Sequence, residues 1–573
     1  AGYIVQKDKH ALNIDNYSGH AVVVYEHTGD GSNASDYAAG NTTIKTAANG
    51  SGIVLSTQKT ENINIDDAAQ VNKILNALAG KLTYSNYVTG EDNLDAKVQI
   101  ASGLTSSQVF KTGNITFDGA SGQGTFDPNN AGKTLEFTDP LTGVKANDAE
   151  YVKAGVMTAD GKYKFTPGYT VTITGNSEHG AIELERGVNE VVVDAKGSTL
   201  NLKNNSAAEM QKIYGLSNKR NETKLNITAK DVNIDVTNTA ADGAAVGVNL
   251  QGKSRNTATE LVINGNTTIF AQAAKPDMMA SAYGIYAKDN AKVTINGDLS
   301  MKRVGSEIWG VSNEGIAEYD KNTAYLNGAG IKVEAGYDAQ KTGVVTVNGN
   351  VDLAVNGTGV VANGYNAEVN INGGGTITTN KDATKQHYAL VATNGKINMN
   401  MNDAKDGAGT SQVNIKGNLS VNDSAADSND YAKDSIINLG LSTKESTLDG
   451  VIIKDFAADK LANGYKAEVN LYLSNGATWN NSVYGQTSLD FAGSEVEKLV
   501  GGSDEAHRGV ILQNDENKLT VNNYSGNTLI IYDHTGDGSK AEDYAAGDTI
   551  IKQAEKGSAI TLSTSNNGIN MKD

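Results

Sequence analysis

Short alternations of apolar and polar residues recur through the middle of the chain, each followed by a turn. The pattern is V-x-[IV]-[NK]-G: Leu261-Val-Ile263-Asn-Gly265, Val293-Thr-Ile295-Asn-Gly297, Val345-Thr-Val347-Asn-Gly349, Val369-Asn-Ile371-Asn-Gly373 and Val413-Asn-Ile415-Lys-Gly417. A period of two places one side-chain set inward and the other outward, so each segment predicts a short strand. The following Asn-Gly predicts a turn in which glycine takes the positive φ that bends the chain away. A second element usually precedes it, glycine followed by a β-branched residue, as in Gly247-Val248, Gly284-Ile285, Gly310-Val311, Gly330-Ile331 and Gly359-Val360.

Copies lie roughly 20–50 residues apart, the range of solenoid repeats. One such coil has no second face against which to bury its inward residues. Stacking coils at ~4.8 Å covers them and satisfies the backbone in parallel ladders. The expected fold class is therefore all-β, a parallel β-helix or β-solenoid with a few short helices and protruding loops. At ~25 residues per coil it would make about twenty rungs, a rod on the order of 100 Å. Asparagines at equivalent turns are expected to form amide ladders. Proline fits the same picture: Pro128, Pro140, Pro167 and Pro276 are the only four, confined to 128–276, as expected if paired strands cannot spare an N–H.

A much longer repeat joins the two ends. Gly2–Thr57 and Gly509–Thr564 align without a gap, with roughly half the positions identical. Asn16-Tyr17-Ser18-Gly19 recurs as Asn523-Tyr524-Ser525-Gly526, and His27-Thr28-Gly29-Asp30-Gly31-Ser32 as His534-Thr535-Gly536-Asp537-Gly538-Ser539. Either the chain is one period of a longer tandem array, the favoured reading, or the copies are equivalent rungs within one molecule. The repeat divides the chain into an N-terminal unit (1–66), a short helix with irregular coils (67–170), a main β-helix (171–508) and the second copy (509–573).

The strand pattern breaks in a few places. Val71, Ile74, Leu75, Leu78 and Leu82 make a helical face over 67–82, with Asp66 or Asp67 as N-cap and Gly80 as stop, predicting a helix that covers an apolar edge. Glu495–Val500 predicts one more helical turn, and Ala207–Tyr214 is a weaker candidate. Residues 83–170 hold most of the prolines and several Asp-Gly and Pro-Gly turns, and predict irregular coils or a small extension. Residues 402–411 and 422–433 read as loops leaving the coil, the usual place for ligand contacts.

Composition narrows the function. With no cysteine there is no disulfide scaffold, thiolate metal site or thiol nucleophile. A net charge of -18 repels phosphate backbones and argues against nucleic acid. No apolar run approaches the ~18–20 residues of a membrane-spanning helix. Ala1 follows no basic or apolar leader and reads as the start of a mature or excised segment.

Catalytic chemistry is weakly represented. Gly29-Asp30-Gly31-Ser32 and its copy exchange serine and glycine relative to a Gly-Asp-Ser-Gly nucleophile, and read as turns. Acidic residues are dispersed, and Arg186, Arg220, Arg255, Arg303 and Arg508 have no recurring carboxylate partner, so a polysaccharide lyase or hydrolase is only a further alternative. Glu26, Asp30 and Asp36, with Asp533, Asp537 and Asp543 in the copy, lack the register of a calcium loop and read as Asx-turns. His10, His20, His27, His179, His387, His507 and His534 show no metal-binding pairing, and His27 and His534 are expected to make turn hydrogen bonds. Trp309 and Trp479 are expected in the core. We therefore expect no catalytic, cofactor-binding or metal residues and no cofactor; the ligand-binding residues are unknown.

The alternation of G-[VI]-x-[AV] with V-x-I-N-G, in a cysteine-free, asparagine- and glycine-rich chain, resembles the passenger domains of bacterial autotransporters (type V secretion), most of all adhesin-like passengers. The terminal unit, NYSG…Y-[ED]-H-T-G-D-G-S…DYAAG-[ND]-T…IK, resembles a unit of large autotransporter-like surface proteins. The resemblance implies a right-handed β-helix displayed at the bacterial cell surface, extracellular and anchored in the outer membrane only through a C-terminal β-barrel that this chain does not contain. It implies a non-enzymatic adhesin, with host extracellular matrix, glycans or surface proteins as partners, or self-association between cells. The alternative implied by the duplicated ends is a self-assembling repeat fibre or surface-layer component.

Overall fold

The computed structural model describes residues 2–37, 40–48, 50–57, 134–218, 222–240, 243–252, 258–273, 282–306, 328–334, 343–379, 388–423, 434–485, 493–514, 516–544 and 547–565, together with 70, 73–74, 77–78, 80–85, 94–100, 115–118 and 123–126. The expected parallel β-solenoid is what these residues form. The strands of each coil pair in parallel with the coils before and after, and the inward alternation is the core.

One column of side chains shows the principle. It starts at Phe137, passes through Ile173, Leu202 and Ile234 to Ile269, and continues through Met301, Leu353, Ile377 and Ile415. It then runs through Leu448, Trp479, Ile511 and Ile530 to Leu562. Each side chain covers the one below, and Phe137 through Ile530 are buried in one continuous core. Trp479 lies within it, its indole N–H donating to Gly450 O at 2.9 Å, as expected. Trp309 lies outside the described residues.

Three such faces close the coil. The first carries the repeated motif, Leu261 under Val293, Val345 and Val369. The second holds the column just described. The third stacks Leu216, Val248, Ile285, Ile331, Val360, Leu390, Leu419 and Ile452. Above Ile452–Asp455 the described strands pair only on the first two faces, down to Thr549–Ala554 and Ala559–Thr564. The fifth motif copy, Val413–Gly417, is not in line with the others: Ile415 stands over Ile377 on the second face. A V-x-I-K-G string fits either face, and register alone decides which it joins.

Equivalent positions on successive coils are 32, 52, 24, 28, 40 and 32 residues apart. The coils are thus longer than the expected ~25 residues, because most carry three faces and loops of variable length, and the rod is correspondingly shorter than a twenty-rung stack.

Of the turn glycines, Gly265 (φ 152°) and Gly417 (φ 154°) take the expected positive φ, but the other three have a different reason. Gly297, Gly349 and Gly373 do not sit at positive φ. A Cβ on each would lie 2.4–2.5 Å from the carbonyl oxygen of the glycine one coil below. Glycine is required there because stacked backbones approach too closely for any side chain. Gly247, Gly284 and Gly330 obey the same rule inside the third face, where a Cβ would meet the next coil's glycine carbonyl at 2.6–2.7 Å.

The base of the long stack is capped. Residues 134–165, within the stretch expected as irregular coils or a small extension, form a strand (Thr134–Phe137), a short helix (Ala149–Lys153) and an antiparallel pair (Met157–Ala159, Lys162–Lys164). Phe137 stacks on Tyr151 at 4.3 Å, and Tyr151 meets the edge of Tyr163. Asp148 is buried but satisfied: its carboxylate accepts from Thr142 N and Oγ1, Gly143 N and the Tyr163 hydroxyl.

The N-terminal unit is a separate two-faced stack with its own core. Gly2–Gln6, His20–Tyr25, Ser51–Thr57 and Leu94–Ile100 make one face; Leu12–Tyr17, Thr42–Ala47 and Leu82–Ser85 make the other, extended by an antiparallel hairpin, Ile115–Asp118 with Gln123–Phe126. Gln70, Lys73, Ile74, Ala77 and Leu78 are helical, with Ile74 and Leu78 buried against this core, which fits the expected edge-covering helix. Val71 and Leu75 lie outside the described residues, and Leu82, expected on the helical face, instead begins the strand Leu82–Ser85.

Two helical expectations fail. Ser494–Val500 is a strand between Ala467–Leu473 and Leu519–Ser525, with Val496 and Leu499 inward. Burial on a sheet overrode the helical propensity of Glu and Lys. Ala207–Tyr214 is not a helix either: Met210 takes φ 54°, and Lys212 begins a strand. Residues 402–411 are a loop, closed by a Met401–Ala408 bridge; 424–433 lie outside the described residues.

Candidate functional site

The expected amide ladder is present and lies at the surface. Where the first face turns into the second, Asn296 Nδ2 donates to Asn264 Oδ1 at 2.6 Å, Asn348 to Asn296 at 2.7 Å and Asn372 to Asn348 at 2.7 Å. Two residues on, a second column caps the turns: Asp298 N donates to Asn266 Oδ1, Asn350 N to Asp298 Oδ1 and Gly374 N to Asn350 Oδ1. These are the asparagines of the V-x-[IV]-N-G motif and its neighbours, and Asn296, Asp298, Asn348, Asn350 and Asn372 are exposed. Each ladder amide uses one N–H and one lone pair along the column. The remaining N–H and lone pair face solvent, so the corner offers the same donor and acceptor at every rung, ~4.8 Å apart.

A third ladder, Asn370–Asn398–Asn438–Asn470, lies deeper, with bonds of 2.8, 2.7 and 2.9 Å. The 402–411 loop folds back onto its foot. Lys405, at φ 56°, donates to Glu368 at 3.0 Å and Asn370 at 2.8 Å. That loop is therefore anchored to the coil.

Sequence reading missed a cluster on the outer side of the third face. Tyr283 and Tyr286 stack with ring centres 5.4 Å apart; Lys332 lies over both, and the Lys212 ammonium lies 5.3 Å from the Tyr286 ring. Glu334 accepts from Tyr286 Oη at 2.9 Å and pairs with Lys288 at 3.0 Å and Lys332 at 3.2 Å. Burial alone would raise the Glu334 pKa, but Lys332, Lys288 and the tyrosine hydroxyl outweigh it and hold it at about 2. Loss of water around the Lys212 ammonium, helped by repulsion from Lys332, pulls that lysine below its usual range, although the residue as a whole is exposed. Burial likewise raises Tyr286. The signal was available: aligned on Gly284 and Gly330, the second residue on is Tyr286 or Lys332 and the fourth is Lys288 or Glu334. The cluster sets three lysines around one glutamate and two stacked tyrosines, and Tyr283 is buried, so it links residues of three coils and presents no open aromatic platform.

The residues weighed for chemistry are not brought together. Asp30 Oδ1 accepts from Ser32 N at 3.0 Å and Oγ at 2.6 Å, and Asp537 does the same with Ser539. The serines are thus acceptor-bound turn residues. Asp36 receives Asn33 N, and Glu26 pairs with Lys7. His27 and His534 make the expected turn contacts, Nδ1 to Thr28 O at 3.3 Å and to Thr535 O at 3.2 Å. His10 pairs with Asp8, His179 with Glu183 and His507 with Asp504, each local in sequence. Arg508 pairs with Glu505 and Arg186 is exposed; Arg220, Arg255, the Arg303 side chain and His387 lie outside the described residues. Among the described residues no group of three or more His, Asp or Glu side chains could hold a metal, and no helix is long and apolar enough to cross a membrane.

Against protein-family models, curated proteins and solved structures, the chain has no match in any of the three.

Proposed function

We propose that this chain is a non-enzymatic binding segment of a bacterial surface protein, an adhesin of the autotransporter-passenger kind. The observation that carries the reading is the exposed amide corner at Asn296, Asn348 and Asn372. A line of identical, evenly spaced donors and acceptors suits a repetitive partner such as a glycan or matrix fibre. Each contact is weak, and many engaged together give avidity. With a net charge of -18, approach to an acidic cell surface or a sister rod depends on screening by salt.

Two experiments test this. Outer-membrane fractions of the source cells, blotted heated and unheated with and without external protease, should give a large, heat-modifiable band shaved from intact cells. A protease-protected band of about 60 kDa in the soluble fraction would rule the surface reading out. On a glycan and matrix array, Asn296→Ala with Asn348→Ala should lower binding at least tenfold in avidity while the fold is retained. Undiminished binding would remove the corner from the mechanism. A second reading, a self-assembling fibre, is favoured by the duplication of Gly2–Thr57 as Gly509–Thr564.

A further inference from the structure

Elsewhere on the rod, lysine pairs as its chemistry suggests, one ammonium to one carboxylate: Lys224 with Glu260, Lys405 with Glu368, Lys454 with Glu495. The cluster on the outer side of the third face departs from this. Lys288 and Lys332 both pair with Glu334, at 3.0 and 3.2 Å. Lys212, whose ammonium lies 5.3 Å from the Tyr286 ring, pairs with no carboxylate among the described residues. Asp289 acts on Tyr286 too, but it is buried and receives Gln251 Nε2 at 3.2 Å, not one of the three ammoniums. Three positive charges against one negative leave a surplus of two, in a chain whose net charge is -18.

As a brace, this arrangement has one lysine too many. Lys288, Lys332 and Glu334 already join two neighbouring coils, since Tyr286 stands in register with Lys332 and Lys288 with Glu334. Lys212 adds repulsion from Lys332 and Lys288 to a site where water is scarce, the Lys332 side chain being only 13% exposed. The ring of Tyr286 offsets part of that, but a ring face attracts an ammonium less than a carboxylate does. What weakens a brace strengthens an acceptor for anions. The charged groups ride on strands fixed in a parallel ladder, so they are held in place before any ligand arrives. One neutral group joins them. Asn249 lies directly below Tyr286 in register, half-buried, and its amide has no side-chain hydrogen bond among the described residues.

We propose that Lys212, Lys288, Lys332 and Asn249 form a binding site for an acidic sugar, a uronate residue of a glycan. Glu334 shows what these ammoniums accept: two of them and the Tyr286 hydroxyl already hold its carboxylate. An incoming carboxylate takes Lys212 and shares the other two lysines, and the Asn249 amide offers a donor and an acceptor to a neighbouring sugar hydroxyl. A carboxylate set among hydroxyls matches that combination. A densely charged polyanion does not, because beyond the cluster it meets the negative charge of the rest of the chain. The choice of a sugar rests on the glycan reading above, but the residues are not those of the amide corner.

The test is isothermal titration of the 573-residue chain with glucuronate, with methyl glucoside as the neutral control and acetate as the bare carboxylate. Glucuronate should bind, more weakly as salt is added, and methyl glucoside should not. Lys212→Gln should lower the affinity at least about tenfold, the loss of one charge-assisted hydrogen bond. Lys212 is exposed, so its replacement leaves the fold intact. Asn249→Ala should weaken glucuronate and leave acetate unchanged. Glu334→Gln removes the competing carboxylate and should strengthen both, an effect that a purely bracing role would not produce. Should that variant unfold the coils, seen as lost circular dichroism, Lys212→Gln and Asn249→Ala carry the test. Glucuronate bound no better than methyl glucoside, affinity unchanged in Lys212→Gln, or a glutamate peptide bound more tightly than glucuronate overturns the proposal. Array binding through the amide corner without glucuronate binding overturns this proposal alone. Glucuronate binding that persists in the Asn296→Ala, Asn348→Ala chain supports it whatever becomes of the corner.

Discussion

Residues 2–57 and 509–564 are the same unit placed in two surroundings. Their turns agree in detail: Asp30 and Asp537 hold Ser32 and Ser539 with identical distances, and Tyr17 and Tyr524 each donate at 2.7 Å to the backbone of the next strand, at Gly52 and Ala559. What differs is the neighbouring coil. The local fold is therefore fixed within the unit, while burial of its inward residues is supplied from outside it. In a solenoid the core belongs to the interface between coils, and a residue's contribution depends on whether a coil lies above it.

The largest expected contrast is at the paired leucines. Leu55→Ala should cost about 2–5 kcal/mol, the range for a filled core position, and Leu562→Ala within about 0.5 kcal/mol. Denaturant titration followed by hydrogen exchange in the two units measures both, and equal costs would erase the distinction. Next, the covered copy should be convertible into the bare one. Leu78→Ala removes part of the cover and should cost about 2–4 kcal/mol. Amide protection in Ser51–Thr57 should then fall toward that of Ala559–Thr564.

Alkali should act on the covered unit. Burial raises Tyr25 and Tyr37 above their ordinary value. Their contribution is complete below pH ~10, where an unfolded tyrosine is still neutral, and is lost as pH rises through their folded values. Tyr17 is raised by burial as well, and Lys81, lowered by burial, acts in the opposite sense but is a single group against three. Tyrosine absorbance and exchange should therefore show residues 2–57 losing stability above pH ~10, with Tyr25→Phe and Tyr37→Phe reducing the loss. Smallest is a difference expected to vanish: Ser32→Ala and Ser539→Ala should each cost about 0.5–1 kcal/mol, equally, because the turn is the same in both copies.

The solenoid was legible because period-two alternation followed by Asn-Gly has few other physical meanings, and the amide corner followed from the same motif. The duplicated unit was visible as text. What sequence could not supply was register. The Tyr283–Tyr286–Lys332–Glu334 cluster joins residues up to about fifty positions apart, and only alignment of the coils on their glycines brings them together. Val413–Gly417 reads like its four relatives and stands on a different face. Glu495–Val500, expected as a helical turn, is strand because Val496 and Leu499 are buried between the coils above and below. Positive φ accounts for glycine at Gly265 and Gly417 only; at Gly297, Gly349 and Gly373 a neighbouring carbonyl excludes a side chain.

The short interval between stacked positions has a kinetic consequence. Nearly every contact in the stack reaches back one coil, some 19 to 52 residues. Each new coil therefore closes a loop of modest size onto a surface already formed. The entropy of closure varies only with the logarithm of that size, by under ~1 kcal/mol across this range. Folding can advance like a zip, one tooth at a time, and the last residues need not arrive before the first are in place. The aromatic base around Phe137 and Tyr151 provides the long stack's starting stop. A chain built this way can assemble at the pace at which it is delivered.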